Sequence, residues 1–296
     1  MVSIIKVKRG KGTFYYLEHS IREGSKVYKK RKYLGKSVPN NIAVLKEQLI
    51  DQFYRDKWYS QFEKIKTCYK STLHKTPKSI QEKNMEAFMV RFTYDTQRIE
   101  GSKLSFRDTG KVLIDKIVPR NARIDDVKEA EGHKKVFYAM LDFNGELTLE
   151  TVLSWHRTLF YDTKPDIAGK IRDYPVLISN SDFFPPKPES LDYMLSDFFD
   201  WYHRSKESMH PVKLAALAHI KFVTIHPFGD GNGRISRIIM NFVLKKFRYP
   251  MIDIKYTNRY SYYNALEKSQ VAKDEHLFSE WFFKRYIKEN RDYLTC

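Results

Sequence analysis

A chain of 296 residues with 42% hydrophobic and 30% charged side chains can bury a core, which excludes a disordered polymer. Its apolar runs, such as 214–218, fall far short of the roughly 20 residues that cross a bilayer, and no apolar leader precedes the first charges, so a soluble, cytoplasmic protein with no membrane partner is expected. The net charge of +17 calls for an anionic partner, but about half of it is local: residues 1–40 hold eleven Lys and Arg against two Glu, a net of +9, which leaves +8 for the remaining 256 residues.

The basic segment, residues 1–36, reads as strands. Thr13-Phe14-Tyr15-Tyr16-Leu17 and Lys26-Val27-Tyr28 flank a turn at Arg22-Glu23-Gly24-Ser25, and Pro39-Asn40-Asn41 ends the pattern. A hairpin alone is marginal in water, so this module packs on something or binds something. Its interleaved Lys, Arg and Tyr suit nucleic acid, through phosphate contacts and stacking. They equally suit a protein target, or a cap on the next domain with its charges solvated.

From residue 41 the apolar spacing becomes helical. Helices are predicted over 42–70, 80–98, 125–143, 149–160, 191–203, 211–225, 234–247, 261–270 and 277–290. Residues 168–188 interrupt them: Tyr174-Pro175-Val176-Leu177-Ile178 and Pro185-Pro186 predict a short extended hairpin. The expected organisation is a basic β-hairpin module (1–40), a helical connector (41–78) and a mainly α domain (79–296). Cys68 and Cys296 have no metal-site or disulfide-framework spacing, and unpaired thiols are expected.

The most informative stretch is His226-Pro227-Phe228-Gly229-Asp230-Gly231-Asn232-Gly233-Arg234-Ile235-Ser236-Arg237. Pro227 disfavours helix in the residue before it, so one helix ends near His226; the next begins near Arg234. Glycines at alternate positions let the backbone turn its N–H groups inward, and a concavity ahead of a helix N-terminus cradles anions. Asp230 offers one hard oxygen, enough for Mg²⁺ when phosphate oxygens and waters complete the shell. Arg234 and Arg237 lie about a turn apart and can clamp phosphate. His226 titrates in the range that accepts a proton near neutrality. The set suits transfer of a phosphorus centre to a hydroxyl. It is not a P-loop, because no strand precedes it and no Lys-Ser/Thr follows, and it is not a dinucleotide fingerprint, because the spacing is G-x-G-x-G. Singly, each residue has a structural explanation: Asp230 as a turn residue, Phe228 as a core anchor, His226 as a helix C-cap.

The stretch resembles the Fic motif, HPFx(D/E)GNGRxxR, at every specified position. The resemblance extends over roughly residues 80–290 and implies a Fic-type helical bundle with a short β-hairpin flap. By that resemblance His226 is the general base, Phe228 anchors the loop, and Asp230 holds Mg²⁺. Gly231, Asn232, Gly233, Arg234 and Arg237 bind the phosphates of ATP, with Tyr263 and Gln270 as further nucleotide contacts. Val176, Leu177 and Ile178 form the flap that docks the target. The implied activity is AMP transfer to a Ser, Thr or Tyr hydroxyl of a protein, with AMP removal and homodimerisation raised by the family. Thr96-Gln97-Arg98-Ile99-Glu100-Gly101 resembles the family's inhibitory motif, in which Thr96, Glu100 and Gly101 present a carboxylate to Arg237 in place of a γ-phosphate. The alternative is a nucleic-acid-binding regulator, acting through residues 1–36, in which the Fic domain is a sensor or accessory activity.

Overall fold

The computed structural model describes residues 2–296 and divides into two compact units, one up to Lys64 and one over Ile65–Cys296. The first holds an antiparallel sheet of β1 (Val2–Arg9), β2 (Gly12–Glu23) and β3 (Lys26–Gly35), in that spatial order, followed by helix α1 (Ile42–Tyr54). Strand alternation divides β2 between two faces. Leu17, His19 and Ile21 are buried, and the His19 ring meets Phe53 of α1 edge-on at 4.9 Å. The opposite face carries Tyr16 opposite Tyr33 and Glu18 opposite Arg31. A bulge between Tyr15 and Tyr16 shifts the register before Gly35. The predicted hairpin is thus the second of two, β1 having paired outside it.

A π-helical turn, Arg55–Tyr59, leads from α1 into α2 (Ser60–Lys75). The larger unit continues with α3 (Lys78–Ile99), α4 (Phe106–Gly110) with a further π turn to Asp115, α5 (Ile124–Asp142), α6 (Leu149–Phe160) and α7 (Leu191–Ser205). It ends with α8 (Pro211–Ile225), α9 (Asn232–Lys246), α10 (Arg259–Ala272) and α11 (Glu275–Glu289). Side-chain caps fix several of these starts: Thr148 accepts from Thr151 N at 3.3 Å, and Asp274 from His276 N at 3.1 Å. The molecule is mainly α, as expected.

Helices α8 and α9 form the hub of this unit. α8 is buried along most of its length, Leu214 to Ala218 included, and packs against α7, α9 and α11. Its polar His219 meets the Tyr262 hydroxyl through Nε2 at 2.9 Å and stacks on Phe278 at 4.9 Å. Such a hub holds the turn between α8 and α9 rigidly, which is what a site built on that turn requires.

Two expectations are corrected. Residues 168–187 are extended and turned but carry no strand ladder; Pro175, Pro185 and Pro186 lack the N–H groups that pairing would use. The segment is held by Arg172 instead, whose guanidinium donates to Tyr174 O (2.8 Å), Pro186 O (2.6 Å) and His226 O (2.9 Å). Cys68 of α2 and Cys296 are paired as a disulfide, with Cα atoms 5.9 Å apart. Their 228-residue separation hid a proximity that only the fold creates. Among the described residues, no helix is long and apolar enough to cross a membrane.

Candidate active site

The α8–α9 turn is built from special backbone. His226 ends α8 in the left-handed region (φ 53°, ψ 54°), a conformation that a non-glycine residue adopts at a cost of about 1 kcal/mol. Gly231, the N-cap of α9, has φ +80°, and a Cβ there would meet the Phe160 ring at 2.4 Å. Asn232 clamps the turn from inside: Phe228 N donates to its Oδ1 (2.9 Å) and its Nδ2 donates to Phe228 O (2.8 Å). Phe228 is fully buried, its ring stacked on His156 at 3.8 Å. His156 in turn reaches Asp230 O at 3.0 Å and accepts Gly169 N–H at Nδ1 (2.9 Å). Because Nδ1 accepts there, His156 carries its proton on Nε2. Burial holds its pKa down to about 4, so it is a neutral scaffold.

His226 has the opposite tautomer. Its Nδ1 lies 3.1 Å from Val223 O, and a carbonyl only accepts, so Nδ1 bears the hydrogen and Nε2 keeps a lone pair. Burial lowers its pKa and the Arg172 charge adds to that, while the Val223 bond, Glu100 and Asp230 act the other way. The imidazole is therefore a neutral proton acceptor near pH 7.

Asp230 and the two arginines complete the turn. Burial alone would raise the Asp230 pKa, but the charges of Arg234 and Lys164 and the Gly231 N–H bring it down to about 2. Arg234 donates to Asp230 Oδ1 (2.8 Å), to Gln97 Oε1 (3.1 Å) and to Glu129, and its guanidinium lies 4.6 Å from the Phe160 ring centroid. Its Nε is buried without an acceptor. Arg237 donates to Thr96 Oγ1 (2.6 Å), the Tyr262 hydroxyl (3.2 Å) and Glu100 Oε1 (2.5 Å). Both arginines are buried, and a buried arginine without partners would be costly, so the site is tuned for negative charge.

Glu100 lies over the glycine turn. It is the C-cap of α3, which closes in a Schellman motif: Ser102 N donates to Gln97 O (3.0 Å), Gly101 N donates to Arg98 O (3.2 Å), and Gly101 has φ +100°. A Cβ on Gly233 would stand 2.4 Å from Glu100 Oε1, so the carboxylate rests on the first turn of α9, where an anion is favoured. Thr96 is buried, not exposed as an ordinary surface pair would be.

The remaining expected residues spread more widely. Tyr263 donates from its hydroxyl to Ile99 O (2.7 Å), so α10 touches the last turn of α3. Gln270 donates to Thr224 Oγ1 (3.3 Å) near the end of α8. In the flap segment Leu177 is 80% exposed, with Val176 and Ile178 half-buried. Asp182 N–H donates to Glu267 of α10 (2.7 Å), which tethers that segment. Lys164, Glu129, Gln97, His156 and Arg172 were not singled out from the sequence. Gln97 sits inside the 96–101 stretch without a role of its own there, the others in unremarkable local patterns, and distant partners give them meaning, such as Glu129 for Lys164, 35 residues away, and Arg234 for Gln97, 137 away.

Residues 146–244 match the Fic/DOC family model. These residues are a Fic/DOC-family domain. Over 202 residues it is 32% identical to the protein adenylyltransferase Fic of Culex quinquefasciatus, covering 67% of this chain and 40% of that protein. The Nematostella vectensis protein of the same name is 32% identical over 181 residues, or 60% of this chain and 42% of the relative. The chain thus spans about two fifths of the length of these curated relatives. Among solved structures, a Fic-domain signalling protein from Bacteroides thetaiotaomicron aligns with a TM-score of 0.71 and 26% identity, over 79% of this chain and 95% of that one. Residues 134–508 of Fic-1 from Caenorhabditis elegans share the fold, with a TM-score of 0.71, 23% identity, and 86% and 77% coverage.

Proposed function

We propose that this Fic protein transfers AMP from ATP to a Ser, Thr or Tyr hydroxyl of a protein and is held back by Glu100. The observation that carries the reading is the gathering, around one helix N-terminus, of a neutral imidazole with a free Nε2 lone pair, an ionised Asp230 and two buried arginines. His226 Nε2 takes the proton of the target hydroxyl as its oxygen bonds to the α-phosphorus. The α–β phosphoanhydride bond breaks, and pyrophosphate leaves with its charge met by Arg234, Arg237 and the first N–H groups of α9. The orphaned Nε of Arg234 supports this, since a phosphate oxygen would satisfy it. Asp230 would hold Mg²⁺ together with phosphate oxygens, and the ion would supply charge neutralisation. The donor set fits that role: one ionised carboxylate, with no cluster of three or more His, Cys, Asp or Glu among the described residues, suits a cation that arrives with its nucleotide.

Glu100 occupies the position on α9 and Arg237 where a terminal phosphate would be favoured, so ATP settles productively only when it leaves. Self-labelling with α-labelled ATP tests both roles. Glu100→Gly is expected to label well above wild type, and His226→Ala to lose about 10²–10⁴-fold, the usual worth of a general base. Equal labelling by wild type and Glu100→Gly removes the brake; undiminished labelling by His226→Ala removes the base.

A second reading, nucleic-acid binding through residues 1–36, is favoured by the outer face of the sheet. There Tyr33, with its ring 5.2 Å from Tyr16 and 6.2 Å from Phe14, is 55% exposed, and the same face holds Arg31 and Lys29, both paired with Glu18, and Arg9 at the end of β1. Stacking rings among cations suit exposed bases and phosphates. Anisotropy with labelled single-stranded DNA should show binding that weakens steeply with salt and falls when Tyr33 and Arg9 become alanine. Binding that ignores both changes overturns this reading.

A further inference from the structure

Lys164 stands in the turn after α6, its N–H donating to Phe160 O (2.9 Å) and its Nζ passing 4.9 Å from the Phe160 ring centroid. The ammonium ends between two carboxylates, 2.5 Å from Asp230 Oδ2 and 2.9 Å from Glu129 Oε1. Asp230 Oδ1 is already taken by Arg234 and the Gly231 N–H. The oxygen that Lys164 touches is therefore the one Asp230 has left for a cation. Glu129 also receives Arg234, so the four groups form one chain of alternating charge: Lys164 and Arg234 each bridge Glu129 and Asp230. The Lys164 side chain is 37% exposed, which gives it solvent to swing into, whereas the Arg234 side chain is 2% exposed and fixed.

We propose that Lys164 is a built-in competitor for the divalent cation, occupying Asp230 Oδ2 in the resting site and yielding it only when a cation arrives. An ammonium held at Oδ2 repels a divalent ion that approaches the same oxygen and already uses one of its lone pairs, so the two cations compete for it. Glu129 provides the second hold that keeps the ammonium in place. The consequence is a raised threshold: a cation must displace a paired charge, not water alone, so the site responds to a nucleotide-borne ion better than to a free one. This deepens the AMP-transfer reading and rests on it only through Asp230 as the cation's ligand.

The test is a titration of the full chain with Mn²⁺ alone, following the free-ion signal by electron paramagnetic resonance. Removing the charge in Lys164→Met should tighten Mn²⁺ binding by about tenfold, since a unit charge a few ångströms from a divalent ion is a strong repulsion even in a part-solvated site. Lys164→Gln should do the same, and Lys164→Arg should keep the weak wild-type binding. Adding Asp230→Asn to Lys164→Met should abolish the gain. Unchanged or weaker Mn²⁺ binding in both neutral variants, or a gain that survives Asp230→Asn, overturns the proposal. Either result leaves intact the AMP-transfer reading, which stands or falls on the labelling of the Glu100→Gly and His226→Ala variants.

Discussion

His226 works as a base only while its Nε2 lone pair is free, and burial sees to that by depressing its pKa below the ordinary imidazole value. The sign of the pH dependence follows. Protonation removes the acceptor, so the labelling rate falls as pH drops through the His226 pKa, with its midpoint below about 6.5. Glu100 raises that pKa, so its removal in Glu100→Gly moves the midpoint lower still. A pH–rate series on Glu100→Gly checks this, and a midpoint above the ordinary value contradicts the neutral-base assignment. Arg172 matters for the same reason: it adds to the depression and, through His226 O, fixes the strained backbone from which the imidazole projects.

Among the elements, α3 couples fold to regulation, because its last turn presents Glu100. Gly101 is the hinge of that turn. No atom lies within 4 Å of the Cβ an alanine would add, so Gly101→Ala costs only the left-handed backbone, about 1 kcal/mol. The expected outcome is a loosened Schellman turn and labelling between wild type and Glu100→Gly; a lowered melting temperature with wild-type labelling would separate the cap from the brake. The end of this helix was legible in the sequence, expected at residue 98 and observed at Ile99, because the apolar helical spacing stops there. The α8–α9 turn was legible for a different reason: Pro227 and the glycines restrict the backbone before any packing is considered. The Phe106–Gly110 helix was not, since five residues hold no periodic repeat, and the course of the flap depends on Arg172, which ties Tyr174 and Pro186 of that segment to His226 of the α8–α9 turn. Lys164 and Glu129 stayed hidden because a lone charge is read as solvated surface until the fold sets it beside another.

For the molecule as a whole, residue spacing foretold a mainly helical body and a strand-rich end that charge counting showed to be basic, but neither foretold the closure of α2 onto Cys296. Chain entropy explains both the blindness and the effect: a cross-link between residues so far apart has no local signature, yet it restrains the unfolded chain over most of its length. The Cys68–Cys296 bond makes a covalent ring of everything between those positions. A protease that cuts once inside the ring, for instance near the exposed Leu177, opens a circle and does not release a fragment. The nicked protein should run as one band on a denaturing gel without reductant and as two with it; two bands under both conditions would show the thiols to be apart. In the cut but unreduced molecule, the flap could change course while the histidine, the arginines and the glutamate that guards them stay on one continuous thread.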